Sequence, residues 1–300
     1  MTATPAPRFG LFLSQANKPL AQVYDEFAMA EGLGFDHAWL VDHLVDTDGP
    51  PGNPMLEAWT LLAAIAARTK RIRLGILVTS NTFRHPAVLL KAAVNVDHIS
   101  AGRLILGMGA GWHVDEHRRY GIPLPEPAER VDRFAEAVEL ISLLMAHERT
   151  TYAGRFYQLD DAPLEPRPVQ SPRIPILIAA HRPRMLRLAA AYADQWDTFA
   201  AMPDTATDGV ETELAERIRY LDDACRAIGR DPAEIRRSTW APAAAVLKSE
   251  AAYVDFVTRH QALGFTDFST TTPAAAQMLL LHHLAEHVIP HLRGGPNADG

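Results

Sequence analysis

The stretch Ile174–Ala179, IPILIA, is apolar at every position and too short to form a helix of ordinary length. An apolar run without alternation is typical of a parallel β-strand that is buried on both faces. Similar short runs recur along the chain. The candidate strands are Arg8–Leu13, His37–Val41, Ile72–Val78, Leu104–Met108, Ile174–Ala179, Gln195–Phe199, Thr239–Leu247 and Phe265–Ser269.

Between the candidate strands, apolar residues recur three or four positions apart, which is the period of a helix packed on a sheet. These faces are Val23, Phe27 and Ala30; Leu89, Ala92, Ala93 and Val96; Phe134, Val138, Ile141 and Met145; and Leu281, Leu284 and Val288. Eight strands alternating with helices over 300 residues predict an α/β fold of the (β/α)8 barrel type. Strand counting alone leaves an open doubly wound sheet as the alternative.

Two insertions extend this barrel. One follows strands 3–4 and covers Gly111–Pro127, and the other precedes strand 5 and covers Thr150–Pro175. In the second, Thr151–Tyr157 with a turn at Ala153–Gly154 predicts a hairpin. No change in composition divides the chain, so we expect a single domain over residues 1–300, with flexible tails at 1–7 and 294–300.

The composition, 48% hydrophobic and 22% charged, is that of a globular protein. A net charge of −7 argues against nucleic-acid binding, which requires a basic surface. The chain contains neither an apolar run of membrane-spanning length nor a signal-peptide pattern, so we expect a cytoplasmic protein away from the membrane. The single cysteine, Cys225, precludes an internal disulfide and is expected to pack in a helix.

In a (β/α)8 barrel, chemistry is located at the carboxyl ends of the strands. Asp42 and His43 end the run HAWLVDH, and an imidazole beside a carboxylate can exchange a proton near neutral pH. A simple polar cap of the strand is the alternative. The run LGMGAGW (106–112) lacks the third glycine of a dinucleotide fingerprint, because Trp112 occupies that position.

Two histidine pairs have the spacing of metal ligands. His283 and His287 match an inverted zinc-peptidase pattern, and His113 and His117 stand four apart on an expected loop. The first pair has no evident third ligand, and the second, although Asp115 and Glu116 lie between its histidines, falls on an expected loop. We therefore predict no metal site.

Several longer segments together resemble one family. They are AEGLGFDHAWLVDH (30–43), PMLEAWTLLAAIAARTKRIRLG (54–75), TFRHPAVLLKAAVNVDHISAGRLILGMGAGWHVDEHRRYGIP (82–123), GRFYQL (154–159) and YADQWD (192–197). In order and spacing they resemble the luciferase-like flavin- and deazaflavin-dependent oxidoreductases, and most of all the branch that uses coenzyme F420. The resemblance implies a TIM barrel, a ring-shaped cofactor at its carboxyl mouth and a homodimer.

The resemblance also implies the roles of particular residues. His43 corresponds to the active-site histidine with Asp42 beside the ring, and Leu77–Val78 to a non-proline cis peptide behind the ring. The expected cofactor-binding residues are Leu77, Val78, Thr79, Ser80, Asn81, Gly109, Gly111, Trp112, Asp115, Ala179, Ala180, His181 and Arg182. The expected substrate contacts are Gln15, Trp112 and Trp196.

Two positions depart from the family pattern. Many relatives have glycines after the fifth strand to hold the cofactor phosphate, whereas this chain has Ile178–Arg182, IAAHR. Cationic side chains of His181, Arg182 and Arg184 could replace them. The sugar-phosphate dehydrogenases carry a glutamate acid where this chain has Trp112, so neither a Glu–His acid pair nor a sugar-phosphate substrate is expected.

These features predict an F420-dependent oxidoreductase that transfers hydride between the deazaflavin and a small organic substrate, with His43 as proton donor. A separate reductase would recharge the cofactor. One alternative is an FMN-dependent monooxygenase that uses reduced flavin and O₂. The other is a barrel that binds flavin without catalysis.

Overall fold

A computed structural model describes residues 5–50, 52–199 and 210–294. Its strands, in chain order, are β1 (Arg8–Phe12), β2 (His37–Leu40), β3 (Arg73–Ile76), β4 (Thr79–Ser80), β5 (Leu104–Gly109), β6 (Arg149–Ala153), β7 (Gln158–Pro163), β8 (Ile176–Ala179), β9 (Gln195–Asp197), β10 (Arg236–Ala241) and β11 (Asp267–Thr271). Its helices are α1 (Leu20–Gly32), α2 (Ala58–Arg68), α3 (Pro86–Ile99), α4 (Val114–Tyr120), α5 (Pro127–Ala146), α6 (Pro183–Tyr192), α7 (Val210–Ala227), α8 (Ala243–Val246), α9 (Glu250–Ala262), α10 (Met278–His283) and α11 (Ile289–Gly294).

Within the described residues, eight parallel strands close into a barrel in the order β1-β2-β3-β5-β8-β9-β10-β11. The last strand pairs with both β10 and β1, and β3 pairs with β5 through Leu74 opposite Leu104. The short β4 continues the course of β3 and also pairs with β5. Because both edges are paired, the (β/α)8 prediction is confirmed and the open-sheet alternative was wrong.

Side chains alternate between the barrel interior and the layer beneath the helices. The interior holds Trp39, Leu77, Ile105 and Leu177, against which half-buried Phe12, Val78 and Trp240 pack. The outer layer takes the predicted helix faces, and all their residues are buried except the half-buried Ala92. Cys225 is buried on α7, as predicted.

The predicted hairpin is confirmed as the antiparallel pair β6–β7, where Ala153 lies opposite Gln158. The predicted strand Thr239–Leu247 was wrong in its second half, because β10 ends at Ala241 and α8 follows. Pro242 has no backbone N–H for a strand ladder, and its fixed φ suits the residue that precedes a helix.

The first insertion contains a helix that the sequence interpretation missed. His113 and His117 were expected on a loop, but His113 is the N-cap of α4, and His117 lies within that helix. The helix ends at Gly121, whose φ of 66° is the left-handed conformation that glycine adopts without strain. The acidic first turn and basic last turn of α4 were the signals present in the sequence.

Among the described residues, no helix is both long and apolar enough to cross a bilayer. Residues 1–4 and 295–300 of the two predicted tails lie outside the described residues. The single-domain division remains a prediction.

The barrel interior also contains a buried carboxyl group, Asp197 on β9. The Ser238 hydroxyl donates a hydrogen bond of 2.7 Å to Asp197 Oδ2. Burial, aided by the nearby Asp267, raises the pKa of Asp197 to about 7 in spite of the Ser238 hydrogen bond. The folded protein therefore binds a proton here more tightly than the unfolded chain does. This contribution to stability is complete below about pH 4 and is lost as the pH rises through 7.

We predict that Asp197→Asn is more stable than the unsubstituted protein at pH 8 and that this advantage is clearly smaller at pH 5, because the amide keeps a neutral partner for Ser238 at both pH values. Thermal unfolding at both pH values measures the effect. One pKa unit corresponds to about 1.4 kcal/mol, so a difference of a few degrees in midpoint is expected at pH 8. The exposed Asp160→Asn is the control and should show no such pH dependence. Equal destabilisation of Asp197→Asn at both pH values would contradict the prediction.

Candidate active site

The candidate site lies at the carboxyl mouth of the barrel, where His43 follows β2 and meets Glu116 of α4. His43 Nδ1 is 2.9 Å from Glu116 Oε1, and Glu116 Oε2 accepts a hydrogen bond of 2.8 Å from the Leu44 N–H. The Glu116 side chain is only 2% exposed, and that of His43 is 17% exposed. A buried carboxylate therefore holds a histidine that solvent can reach.

The electrostatics of Glu116 determine which nitrogen of His43 carries the proton. Burial alone would raise the pKa of Glu116, but the hydrogen bonds from His43 and Leu44 and the nearby imidazoles hold it below the usual value. An ionised carboxylate only accepts hydrogen bonds, so Nδ1 of His43 donates. Nε2 is thereby left to exchange a proton with a substrate.

Asp42 has a different role from the one expected. Its carboxylate accepts two hydrogen bonds from Arg84, at 2.6 and 3.1 Å, and one of 2.9 Å from the Ser80 N–H. The carboxylate that contacts His43 is Glu116, so the expectation that Asp42 sets the state of His43 was wrong. Asp42 instead fixes β4 against the end of β2. The expectation that this chain lacks a Glu–His pair was also wrong.

Trp112 and His113 stand beside His43. The ring centroids of His43 lie 5.7 Å from Trp112 and 5.8 Å from His113, both edge-on. Trp112 is 62% exposed although it is a large apolar side chain. Such exposure in a loop at a barrel mouth is typical of a residue that covers a ligand.

The predicted cis peptide at Leu77–Val78 is confirmed. It lies between β3 and β4 and packs closely on β5. A Cβ at Gly109 would come within 2.5 Å of Val78 Cγ2, and one at Gly107 within 2.0 Å of the Ile76 carbonyl oxygen. Glycine is therefore required at both positions, because any side chain there would collide with the backbone of Ile76 or the side chain of Val78.

Beyond this bulge, Thr79, Ser80 and Asn81 are all buried. Thr79 Oγ1 and Asn81 Oδ1 have no hydrogen-bond partner within the described part of the protein. Unpaired buried polar atoms are costly, so a bound polar group is the expected partner. Ser80 is 2.7 Å from Thr82 through their hydroxyl groups, and Gly111, with a φ of 87°, turns the β5 loop beside them.

After β8, Ala179 is half-buried and Ala180 is buried. His181 Nδ1 lies 3.0 Å from Thr198 Oγ1, and its ring centroid is 4.5 Å from that of Phe199. Burial, together with Arg217, lowers the pKa of His181 to about 4, so the ring is neutral at pH 7. The expectation that His181 supplies a cation was wrong for this reason.

The two arginines near His181 differ. Arg184 pairs with Asp132. Arg182 is exposed and has no partner in the described ranges, and it precedes α6, whose N-terminus has no side-chain cap. Free backbone N–H groups at a helix N-terminus beside a free guanidinium favour an anion.

Three residues predicted to contact a ligand form contacts within the chain itself. The Gln15 side chain is buried and forms hydrogen bonds to both the N–H and the carbonyl of Val41. Trp196 is fully buried in the outer layer, where its indole N–H donates to the Ala180 carbonyl at 2.9 Å. Asp115 pairs with Arg118 and Arg119 on the surface of α4. Their contact with a ligand stays a prediction.

Sequence reasoning missed Glu116 and the aromatic residues Phe12, Phe199 and Trp240. The spacing of His113, Glu116 and His117 was a usable signal, because positions three and four apart share a helix face. It was discounted when the segment was interpreted as a loop. For the aromatic residues no local signal was available.

Neither histidine pair forms a metal site in the described residues, where no cluster of three or more metal-ligating side chains occurs. His117 lies between Thr82 Oγ1, at 2.6 Å, and the His113 carbonyl, at 2.7 Å. His283 pairs with Glu250 at 2.8 Å.

Comparison with known proteins places these features in a family. Residues 6–291 match the model of the luciferase-like monooxygenases. The chain is 35% identical over 227 residues to an F420-dependent glucose-6-phosphate dehydrogenase of Microbacterium testaceum, covering 74% of this chain and 64% of that one. It is 34% identical over 236 residues to a pyrimidine monooxygenase of Allorhizobium ampelinum, covering 77% and 59%. The matches thus span less than two thirds of either relative.

The fold itself is similar to that of a solved F420-dependent secondary alcohol dehydrogenase in complex with an F420–acetone adduct. The TM-score is 0.83 at 19% sequence identity, over 96% of this chain and 99% of that one. Because the family model covers nearly the whole chain, the protein belongs to the luciferase-like monooxygenase family.

Proposed function

We propose that this protein is an F420-dependent oxidoreductase that reduces an unsaturated group, such as a carbonyl, on a small organic substrate. The observation that carries the proposal is the His43–Glu116 pair at the barrel mouth, because it provides a solvent-accessible imidazole next to a buried carboxylate. A relative named as an F420-dependent dehydrogenase supports the choice of cofactor.

The residues at the mouth fit a ring-shaped cofactor with a phosphate. The apolar bulge at Leu77–Val78 offers a surface for the ring, and the unpaired Thr79 Oγ1 and Asn81 Oδ1 offer hydrogen bonds to its polar edge. Arg182 and the uncapped N-terminus of α6 would hold the phosphate.

Held by the residues named above, reduced F420 would supply a hydride to the substrate. The substrate carbon gains this hydride, and the π electron pair of the C=O bond moves to the oxygen. The oxygen takes a proton from Nε2 of His43. Atoms and electrons balance as reduced F420 plus carbonyl compound giving oxidised F420 plus alcohol.

Glu116 acts through His43 and is a positioning residue. Its carboxylate accepts the Nδ1–H, which orients the ring and leaves Nε2 available for proton exchange with the substrate. Trp112 and His113 pack against the same ring and limit its contact with water.

An FMN-dependent monooxygenase is the second candidate, supported by the relative named as a pyrimidine monooxygenase. In that case His43 would lie near the oxygenated flavin. Cytoplasmic location, a homodimer and a separate reductase that recharges the cofactor also remain proposals.

We predict that the purified protein binds oxidised F420 in preference to FMN, measured by fluorescence titration of each cofactor. Arg182→Ala should weaken F420 binding about ten-fold, because one charge-assisted phosphate contact is lost. The exposed Arg155→Ala on the hairpin side is the control and should bind normally. Preference for FMN would support the monooxygenase, and binding of neither cofactor would support a barrel without this activity.

We predict that His43→Ala lowers kcat by about 10²–10⁴-fold while F420 binding is retained, because a general acid is removed and the ring surface remains. Stopped-flow oxidation of reduced F420 measures the rate. Normal turnover by this variant would eliminate His43 as the proton donor.

We predict a different signature for Glu116→Gln. The amide oxygen can still accept the Nδ1–H bond but carries no charge, so kcat should fall less than in His43→Ala, and the pH profile of the reduction rate should change. The exposed Glu148→Gln is the matched control. An unchanged pH profile would show that Glu116 has only a structural role.

A further inference from the structure

Four rings form a continuous wall on one side of the barrel mouth. The ring centroids of Phe12 and Trp240 are 5.4 Å apart and stacked, those of Phe199 and Trp240 are 5.2 Å apart, and those of His181 and Phe199 are 4.5 Å apart. We call Phe12, Trp240, Phe199 and His181 the aromatic wall. All four side chains are half-buried, so part of each ring remains uncovered.

The aromatic wall is continuous with the candidate site. Phe12 and Trp240 pack on the interior cluster that contains Leu77, and Val78 packs on the same cluster. Phe12 ends β1, whereas His43 follows the neighbouring strand β2. The wall and the cis bulge therefore pack on the same interior cluster, and the wall's Phe12 lies on the strand next to the one that His43 follows.

Two cations near this wall are already paired, whereas Arg182, whose charge acts on the wall residue His181, is unpaired in the described ranges. Arg217 donates to Thr198 Oγ1 at 3.0 Å and to the Phe199 carbonyl at 3.1 Å, and it pairs with Glu213. Lys18, on the loop after β1, pairs with Glu26 at 2.7 Å. His181 is neutral at pH 7 because of its low pKa. Apart from Arg182, an anion at the wall would meet no unpaired cation among these groups.

Of the cations after β8 and β10, Arg182 is assigned to the cofactor phosphate above. Lys248, exposed after α8, is the other one without a partner in the described ranges.

From the aromatic wall and the paired cations near it we infer that the substrate is an uncharged, apolar carbonyl compound with a flat ring or conjugated system, and that it is not a sugar phosphate. A flat apolar molecule gains favourable ring–ring contact at the wall. A phosphate dianion would lose its hydration there without gaining a partner. Trp240, at the centre of the wall, determines specificity. This inference rests on the proposed function.

The first test compares substrates on the F420-loaded protein. Cyclohex-2-enone, acetophenone and glucose 6-phosphate are each titrated calorimetrically with oxidised F420 bound, and each is assayed for oxidation of reduced F420 or its reverse. We expect kcat/KM for a neutral ketone to exceed that for glucose 6-phosphate at least ten-fold. Equal or higher efficiency with glucose 6-phosphate overturns the inference, as does failure of both ketones to bind.

The second test changes the wall. Trp240→Ala should raise KM for the neutral ketone about five- to ten-fold with little change in kcat, because the wall contacts substrate and transition state alike. Trp240→Phe should restore most of the affinity. Trp59→Phe, a buried tryptophan on α2, is the matched control and should leave KM unchanged.

F420 affinity, measured separately for each variant, distinguishes failure of the substrate inference from failure of the proposed function. Intact F420 binding with an unchanged KM in Trp240→Ala overturns the inference alone. Loss of F420 binding by the unsubstituted protein overturns the proposed function, and the inference with it.

Discussion

Close packing of β5 against the end of β3 is the constraint on which the site depends. β5 pairs with β3 and the short β4 along one edge and with β8 along the other, so it joins the first three strands of the barrel to the remaining ones. The backbone of Ile76 and the side chain of Val78 come so near that Gly107 and Gly109 have no room for a Cβ. The bulge with its cis peptide is possible only because of these two glycines.

Closure also explains why His43 meets Glu116. The loop after β2 and helix α4 after β5 flank the end of β3, and a closed barrel brings them together across it. Asp42 holds the intervening β4 through the Ser80 N–H, and Arg84 completes this set of contacts. The two carboxylates therefore have different roles: that of Asp42 fixes β4, and that of Glu116 holds His43.

The mouth has two chemically different sides. On one side, His43, which packs against Trp112 and His113, can exchange a proton with a substrate. Near α6, the free Arg182 can bind an anionic group. On the other side lies an aromatic surface that ends at His181, beside Arg182, and whose neighbour Arg217 is paired with Glu213. Relatives that share the barrel are named for different substrates, a sugar phosphate and a pyrimidine, which agrees with the principle that function resides in loops grafted on a fold.

Local patterns predicted the strands and helices of the barrel, because buried parallel strands and amphipathic helices are periodic in sequence, but strand counting left the closure of the sheet open. His43 and the cis bulge at Leu77–Val78 were also predicted, from segments that resemble a known family. Closure, the partner of His43, the neutral state of His181 and the contacts of Gln15 and Trp196 within the chain became visible only in the folded protein. Each of these depends on which strand ends meet in space and which face of a strand or helix points inward. Such contacts join residues far apart in the chain, as Glu116 and His43 are, and a local pattern does not encode them.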